Sequence, residues 1–168
     1  MDNLKYLEHV VELGKVQAAT TPEEMSGAFD AFNGFLGLYY DLAKMELQKA
    51  GIDTPPIRNF AIDKALERID ARLDCADFTI PALIRMLREH RGTRLNEEQA
   101  QKIEQSLIHF KYWLDEPGDV HACFFTENHQ ILYHNAEYLV AQIYPAVALP
   151  NNGMTGAAYR AHASAVRL

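Results

Sequence analysis

Apolar residues recur at intervals of three and four along most of this chain, which is the spacing of amphipathic helices. The pattern predicts seven helices, over about residues 4–16, 22–50, 62–73, 80–91, 96–114, 127–144 and 155–168. No stretch shows the strict alternation of apolar and polar residues that is typical of a half-buried strand. The pattern therefore predicts an all-α fold.

Helix start signals lie where the periodicity predicts them. Asn96 with Gln99 has the spacing of a capping box, and so does Thr21 with Glu24, where Pro22 suits the first helical turn. Further N-cap residues precede three helices: Thr79, Thr126 and Thr155. Gly51, Gly92 and Pro145 supply stop signals after the second, fourth and sixth helices.

Connections of a few residues favour antiparallel neighbours, so we expect antiparallel helical hairpins within 1–168, arranged as a bundle or a stack. The last predicted helix runs without a glycine or polar tail to Leu168. We therefore expect a single helical domain or the N-terminal fragment of a larger protein. Hairpins missing from a fragment would leave apolar faces exposed and would favour self-association.

The net charge of −7 provides no basic surface for phosphates, so we expect no nucleic-acid partner. Two cysteines, Cys75 and Cys123, indicate no disulfide framework. The first residues do not resemble a signal peptide, and no apolar run approaches the ~18–20 residues that span a bilayer. We expect no membrane partner and a cytoplasmic location, unless an export signal precedes this sequence.

The candidate catalytic residues cluster at the start of the sixth predicted helix. Glu127, Asn128 and His129 fall in its first turn, where free N–H groups and the helix dipole favour an anion. Tyr133 and His134 follow one turn later. An amide and an imidazole can neutralise the carboxylate of a uronic acid, while a tyrosine or second histidine moves the proton. These five residues are the predicted catalytic set of an elimination reaction.

Three alternatives to elimination remain open. A metal site would draw on His121, Cys123, Glu127, His129 and His134, but their spacing matches no common metal motif. A glycosidase would use carboxylates from Asp115, Glu116, Asp119 and Glu127, with Trp113 and Tyr112 as a sugar-binding platform. In the third alternative the cluster is structural, and the chain is a helical binding or scaffold module without chemistry.

Three segments carry a resemblance: D-C-A-D-F (74–78), H-F-K-Y-W-L-D-E-P-G-D (109–119) and F-T-E-N-H-Q-I-L-Y-H (125–134). They resemble segments of a group of large, mostly uncharacterised microbial and fungal proteins, over about residues 74–160. More distantly, E-N-H-x-x-x-Y is similar to the Asn-His motif of alginate lyases, which fold as α/α toroids. The resemblance implies that Asn128 and His129 neutralise a carboxylate. The arginine and second tyrosine of such lyases have no identified counterpart here.

Together these observations predict part of an α/α toroid. The leading hypothesis is a carbohydrate-active enzyme that acts on an acidic polysaccharide or oligosaccharide, as a lyase ahead of a glycoside hydrolase. We expect no metal and no cofactor.

Overall fold

The computed structural model describes residues 3–18, 34–57 and 59–166. Within them lie seven α-helices and one 3-10 helix at Ala76–Phe78; the α-helices are α1 Asn3–Ala18, α2 Gly34–Lys49, α3 Asn59–Asp70, α4 Ile80–His90, α5 Glu97–His109, α6 Glu127–Ile143 and α7 Gly156–Val166. The described residues form isolated β-bridges but no strand, so the all-α prediction is confirmed. The predicted helix start at Thr21 lies outside the described residues. None of the described helices combines the length and apolar character needed to cross a bilayer.

The chain divides into two compact units, Met1–Ala65 and Leu66–Leu168. In the first unit α1 packs against α2, and Leu7 and Ile52 cover a small core of Ala43 and Leu47. Helix α2 ends at Lys49, just before the predicted stop residue Gly51. The φ of +79° at Gly51 lets the Ile52 N–H reach back to the Leu47 carbonyl at 3.0 Å.

In the second unit, α4 contacts α5 and α6, and α6 packs against α7. The predicted apolar face of α4 is buried, with Ile80, Leu83, Ile84 and Leu87 all at most 5% exposed. Burial of side chains of this size stabilises by up to about 1.5–3 kcal/mol each. The 3-10 helix contacts both α4 and α6, which brings its residues to the first turns of α6.

At two of the predicted N-cap residues, the side chain makes the expected hydrogen bond to the helix. Asn96 Oδ1 accepts the Gln99 N–H at 2.9 Å, and Thr155 Oγ1 accepts the Ala158 N–H at 3.3 Å. Thr79 and Thr126 occupy N-cap positions without a side-chain cap bond, so that part of the prediction is wrong. The Thr79 hydroxyl instead donates to the Ala76 carbonyl at 2.7 Å.

Two predicted helices end early. Helix α3 stops at Asp70 because Arg72 has φ +51° and the Leu73 N–H returns to the Arg68 carbonyl, a glycine-type ending on an arginine. Leu73 is 40% exposed instead of lying on the helix face. Helix α5 stops at His109, because the backbone of Phe110 is extended and begins the segment that connects α5 to α6.

Candidate functional site

The first two predicted catalytic residues lie at the surface. Glu127 and Asn128 occupy the first turn of α6 with exposed side chains, as the sequence pattern predicts. An acidic residue in this position interacts favourably with the positive end of the helix dipole.

His129 is buried and held by a carboxylate. Its Nδ1 lies 2.7 Å from Oδ2 of Asp77, which is fully buried in the 3-10 helix. The Phe78 ring packs edge-on against the imidazole at 5.3 Å. Burial raises the pKa of Asp77, while the hydrogen bond to His129 opposes that rise. In the tautomer whose Nδ1 donates to Asp77, a neutral imidazole has its lone pair on Nε2.

Tyr133 is completely buried between the Phe110 ring at 6.0 Å and the Phe124 ring at 4.7 Å. Among the described residues its hydroxyl has no hydrogen-bond partner. Burial, followed by the charges of Asp77 and Asp74, raises its pKa far above the ordinary value. A tyrosine base needs a shift in the opposite direction, so the structure offers Tyr133 no phenolate at neutral pH.

The remaining predicted residues surround an aromatic cluster. His134 is half-buried, with Nδ1 3.6 Å from Glu137 Oε2 and its ring 4.1 Å from the Trp113 ring. Tyr112 is buried, and its hydroxyl donates to the Leu107 carbonyl at 2.8 Å, next to the end of α5. Of the predicted sugar platform, Trp113 alone therefore presents appreciable surface, since Tyr112 is a core residue.

A group that the sequence analysis did not assemble lies beside His129. One ligand atom each from Asp74, Cys75 and His129 lie within 4.8 Å of one another. Asp74 Oδ1 accepts the Cys123 N–H at 2.8 Å, which is the main reason for its lowered pKa. We call Asp74, Cys75, Asp77 and His129 the Asp74 cluster. Cys75 and His129 are 54 positions apart, so no local spacing could reveal the group.

The Asp74 cluster contains the residue types of a cysteine nucleophile with a His–Asp pair. Two observations argue against that use. The Cys75 thiol donates to Asp74 Oδ2 at 3.7 Å, so its hydrogen bond is to a carboxylate. Burial and the charge of Asp74 raise the pKa of Cys75, whereas a nucleophilic cysteine requires a lowered pKa.

A second site lies between the turn after α5, the loop before α7 and α7 itself. It is a cavity of about 290 Å³, which we call the turn pocket, lined by Asp115, Glu116, Pro117, Asn151, Asn152, Met154, Tyr159 and His162. The sequence analysis singled out the carboxylates of Asp115 and Glu116. The residues contributed by the last loop and helix were missed, because only tertiary packing brings them to the turn.

Glu116 is the buried carboxylate of the turn pocket, with 6% of its surface exposed. Its Oε1 accepts a short hydrogen bond from the Tyr159 hydroxyl. Its Oε2 accepts from Asn151 Nδ2 at 2.5 Å and from the Tyr112 N–H at 3.2 Å. Burial and the charge of Glu116 raise the pKa of Tyr159, so the phenol stays protonated and donates. The three donors hold the carboxylate in one orientation.

Arg72 forms hydrogen bonds with three segments around the turn pocket. Its guanidinium donates to the Asp119 carbonyl at 3.1 Å, the His109 carbonyl at 3.4 Å and Asn151 Oδ1 at 3.0 Å. These partners belong to the turn, the end of α5 and the loop before α7. The left-handed backbone of Arg72 thus places one side chain against three segments.

The other carboxylates of the predicted glycosidase set lie differently. Asp115 is exposed, with Oδ2 3.4 Å from His162 Nε2. Asp119 contributes its carbonyl to Arg72, and its side chain does not line the pocket. Glu127 remains at the start of α6 and is likewise absent from the pocket lining.

Function must be inferred from the chain's own residues. Comparison with protein-family models, with curated proteins and with solved structures found no match.

Proposed function

We propose that this chain is a carbohydrate-binding helical protein and that the turn pocket holds one neutral sugar residue. The observation that carries this proposal is the buried Glu116 carboxylate, oriented by three donors at the wall of a sugar-sized cavity. Carboxylate and amide side chains with fixed orientations are suited to accept and donate hydrogen bonds with ring hydroxyl groups.

The volume of the pocket supports a small ligand. At about 30 Å³ per water molecule in the liquid, a cavity of about 290 Å³ corresponds to roughly ten waters. Such a space suits a single pyranose ring and lies at the lower end of ligand-pocket sizes. Pro117 and Met154 add apolar surface against which the C–H face of a sugar can pack.

The charges of the pocket favour a neutral ligand. Among the described residues that line it, Asp115 and Glu116 are acidic and none is lysine or arginine. An anionic uronate would be repelled here. A cation is not required, because Glu116 has three donors and Asp115 has His162. Asp115 is exposed at the pocket wall, where a hydroxyl group of the ligand can donate to its carboxylate.

Glycoside hydrolysis is a second candidate function, favoured by the presence of both Asp115 and Glu116 in one pocket. A glycosidase places two carboxyl groups across the scissile bond. Elimination of a uronate at Asn128 and His129 stays a prediction, as does the α/α toroid as the larger architecture. The burial of His129 and Tyr133 makes sugar binding at the turn pocket the better-supported proposal.

Binding is tested by calorimetric titration with a panel of neutral hexoses, glucuronic acid and glucosamine. We expect at least one neutral hexose to bind and Asp115→Asn to weaken it about tenfold or more, the effect of a lost charged hydrogen bond. Asp119→Asn is the matched control, because that carboxylate belongs to the same turn but does not line the pocket. Binding of the acid or amine alone, or equal losses in both variants, would contradict the proposal.

Chemistry is tested separately on neutral and acidic oligosaccharides. New reducing ends that disappear in Glu116→Gln would support hydrolysis at the turn pocket. Unsaturated products that disappear in Asn128→Ala would support the predicted elimination. Sugar binding with neither product would assign the chain as a binding module.

A further inference from the structure

The Asp74 cluster combines three kinds of metal ligand in one place. A carboxylate, a thiol and an imidazole from Asp74, Cys75 and His129 offer atoms within 4.8 Å of one another. We propose that these three side chains bind a divalent transition-metal ion of the zinc class. This site is separate from the turn pocket and does not depend on the function proposed there.

The hydrogen bond from His129 to Asp77 favours metal binding. A histidine that ligates a metal commonly donates its other ring N–H to a carboxylate, which sets the tautomer and the ring orientation. Asp77 takes this role at 2.7 Å from Nδ1 and is itself fully buried. Nε2 is therefore the nitrogen left for a metal.

A second observation also points to a ligand at this place. The Tyr133 hydroxyl is fully buried and has no hydrogen-bond partner among the described residues. The Tyr133 ring stacks at 6.3 Å from the ring of His129, whose Nδ1 lies 2.7 Å from Asp77. Burial raises the pKa of the Tyr133 hydroxyl, and the charges of Asp77 and Asp74 raise it further. A buried hydroxyl without a partner is destabilising, and an ion-bound water would supply the partner.

The kind of ion follows from the ligand types. Thiolate and imidazole favour zinc and its neighbours over magnesium or calcium, which prefer oxygen ligands. In a tetrahedral zinc site, bonds of 2.0–2.3 Å place ligand atoms roughly 3.3–3.8 Å apart. Cys75 Sγ and Asp74 Oδ2, 3.7 Å apart, already have this spacing. The other pairs lie within 4.8 Å and need to close by at most about 1.5 Å. Three protein ligands would leave one position for water, the arrangement of catalytic zinc sites.

The charge balance of the site is consistent with a cation. Asp74 and Asp77 bring two carboxylates, and binding converts the Cys75 thiol to a thiolate with release of one proton. The metal ion would then compensate the negative charge of the two carboxylates and the thiolate. Of the three proposed ligands, the predicted catalytic set contained His129 but neither Asp74 nor Cys75.

Titration of the full chain with Co²⁺ tests the site, because thiolate ligation produces a charge-transfer band in the near ultraviolet. We expect this band at one equivalent, its loss on addition of Zn²⁺, and its absence in Cys75→Ser. Cys123→Ser is the matched control, since its backbone contacts Asp74 while its thiol lies outside the group of three. That variant should keep the band.

Two further variants make the test independent of any folding defect in Cys75→Ser. Asp74→Asn changes an exposed ligand and should weaken Zn²⁺ binding at least tenfold with an unchanged circular dichroism spectrum. Asp77→Asn, a positioning variant, should weaken it about 10–100-fold while the thiolate band survives at saturating Co²⁺. Asp115→Asn, in the turn pocket, should change neither. Absence of the band in the unmodified chain, or its survival in Cys75→Ser, would overturn the proposal.

Discussion

Replacing Gly118 by alanine tests how strongly Arg72 holds the turn pocket together. Gly118 has φ +90°, a conformation that costs an L-residue about 1–2 kcal/mol. An alanine Cβ at this position would also collide with Arg72 Nη1 and come within 3.4 Å of Arg72 Cζ. The guanidinium can move away only by giving up hydrogen bonds to the surrounding segments.

The expected loss of stability follows from these two contributions. If the displaced guanidinium loses one or two of its three bonds, at about 0.5–1.5 kcal/mol each, the cost is about 0.5–3 kcal/mol. Adding the backbone strain gives about 1.5–5 kcal/mol for Gly118→Ala. Gly92→Ala is the matched control, because φ is +71° but no described atom lies within 4 Å of the new Cβ. It should cost about 1–2 kcal/mol.

Urea unfolding of the single variants and of Gly118→Ala in an Arg72→Ala background measures both contributions. In that background the cost of Gly118→Ala should fall to the strain alone, about 1–2 kcal/mol. Because Arg72 also holds Asn151, Gly118→Ala should weaken sugar binding as well. Equal costs for the Gly118 and Gly92 variants, or a Gly118 cost that Arg72→Ala leaves unchanged, would refute this reasoning.

Three further predictions concern single substitutions. Tyr133→Phe removes a buried hydroxyl that has no partner among the described residues, so in metal-free buffer it should leave the free energy of unfolding unchanged or raise it. Tyr112→Phe loses a buried hydrogen bond and should lower that free energy by about 0.5–1.5 kcal/mol. Destabilisation by both substitutions would contradict this distinction. Gly156→Ala would press a Cβ against the carbonyl oxygens of Ala141, in the last turn of α6, and of Tyr144, which follows that helix. It should therefore lower the thermal midpoint and the helix content together, and an unchanged midpoint would show that α7 can shift freely. Asp74 has a lowered pKa in the folded state, so its contribution to stability is present above about pH 4 and disappears as pH falls through the folded value. In chelator, Asp74→Asn should therefore lose less stability than the parent chain between pH 7 and pH 3, and equal losses would count against this assignment.

Local sequence signals were sufficient to predict most of the helices. The apolar spacing of α4 matches its buried face, and the Asn96 cap and the Gly51 stop work as expected. The predicted ends failed where an unusual residue took a special conformation. Arg72 adopts the left-handed backbone usually given to glycine, so nothing in the residue types signalled the end of α3.

The chemistry of the candidate sites depends on contacts that no local pattern contains. His129 was recognised as a candidate, but its partner Asp77 lies 52 positions away and its burial could not be read from the helix. Glu116 was recognised too, yet Asn151 and Tyr159, which orient it, come from segments much later in the chain.

The sequence by itself determined the all-α class and the positions of most helix starts, because caps and periodicity act within one or two turns of the backbone. Tertiary structure alone decided which acidic residues became buried, which tyrosine lost its partner and which side chains share a cavity. Hydrogen bonding, burial and pKa depend on the segments that pack beside a residue, and those neighbours are distant along the chain.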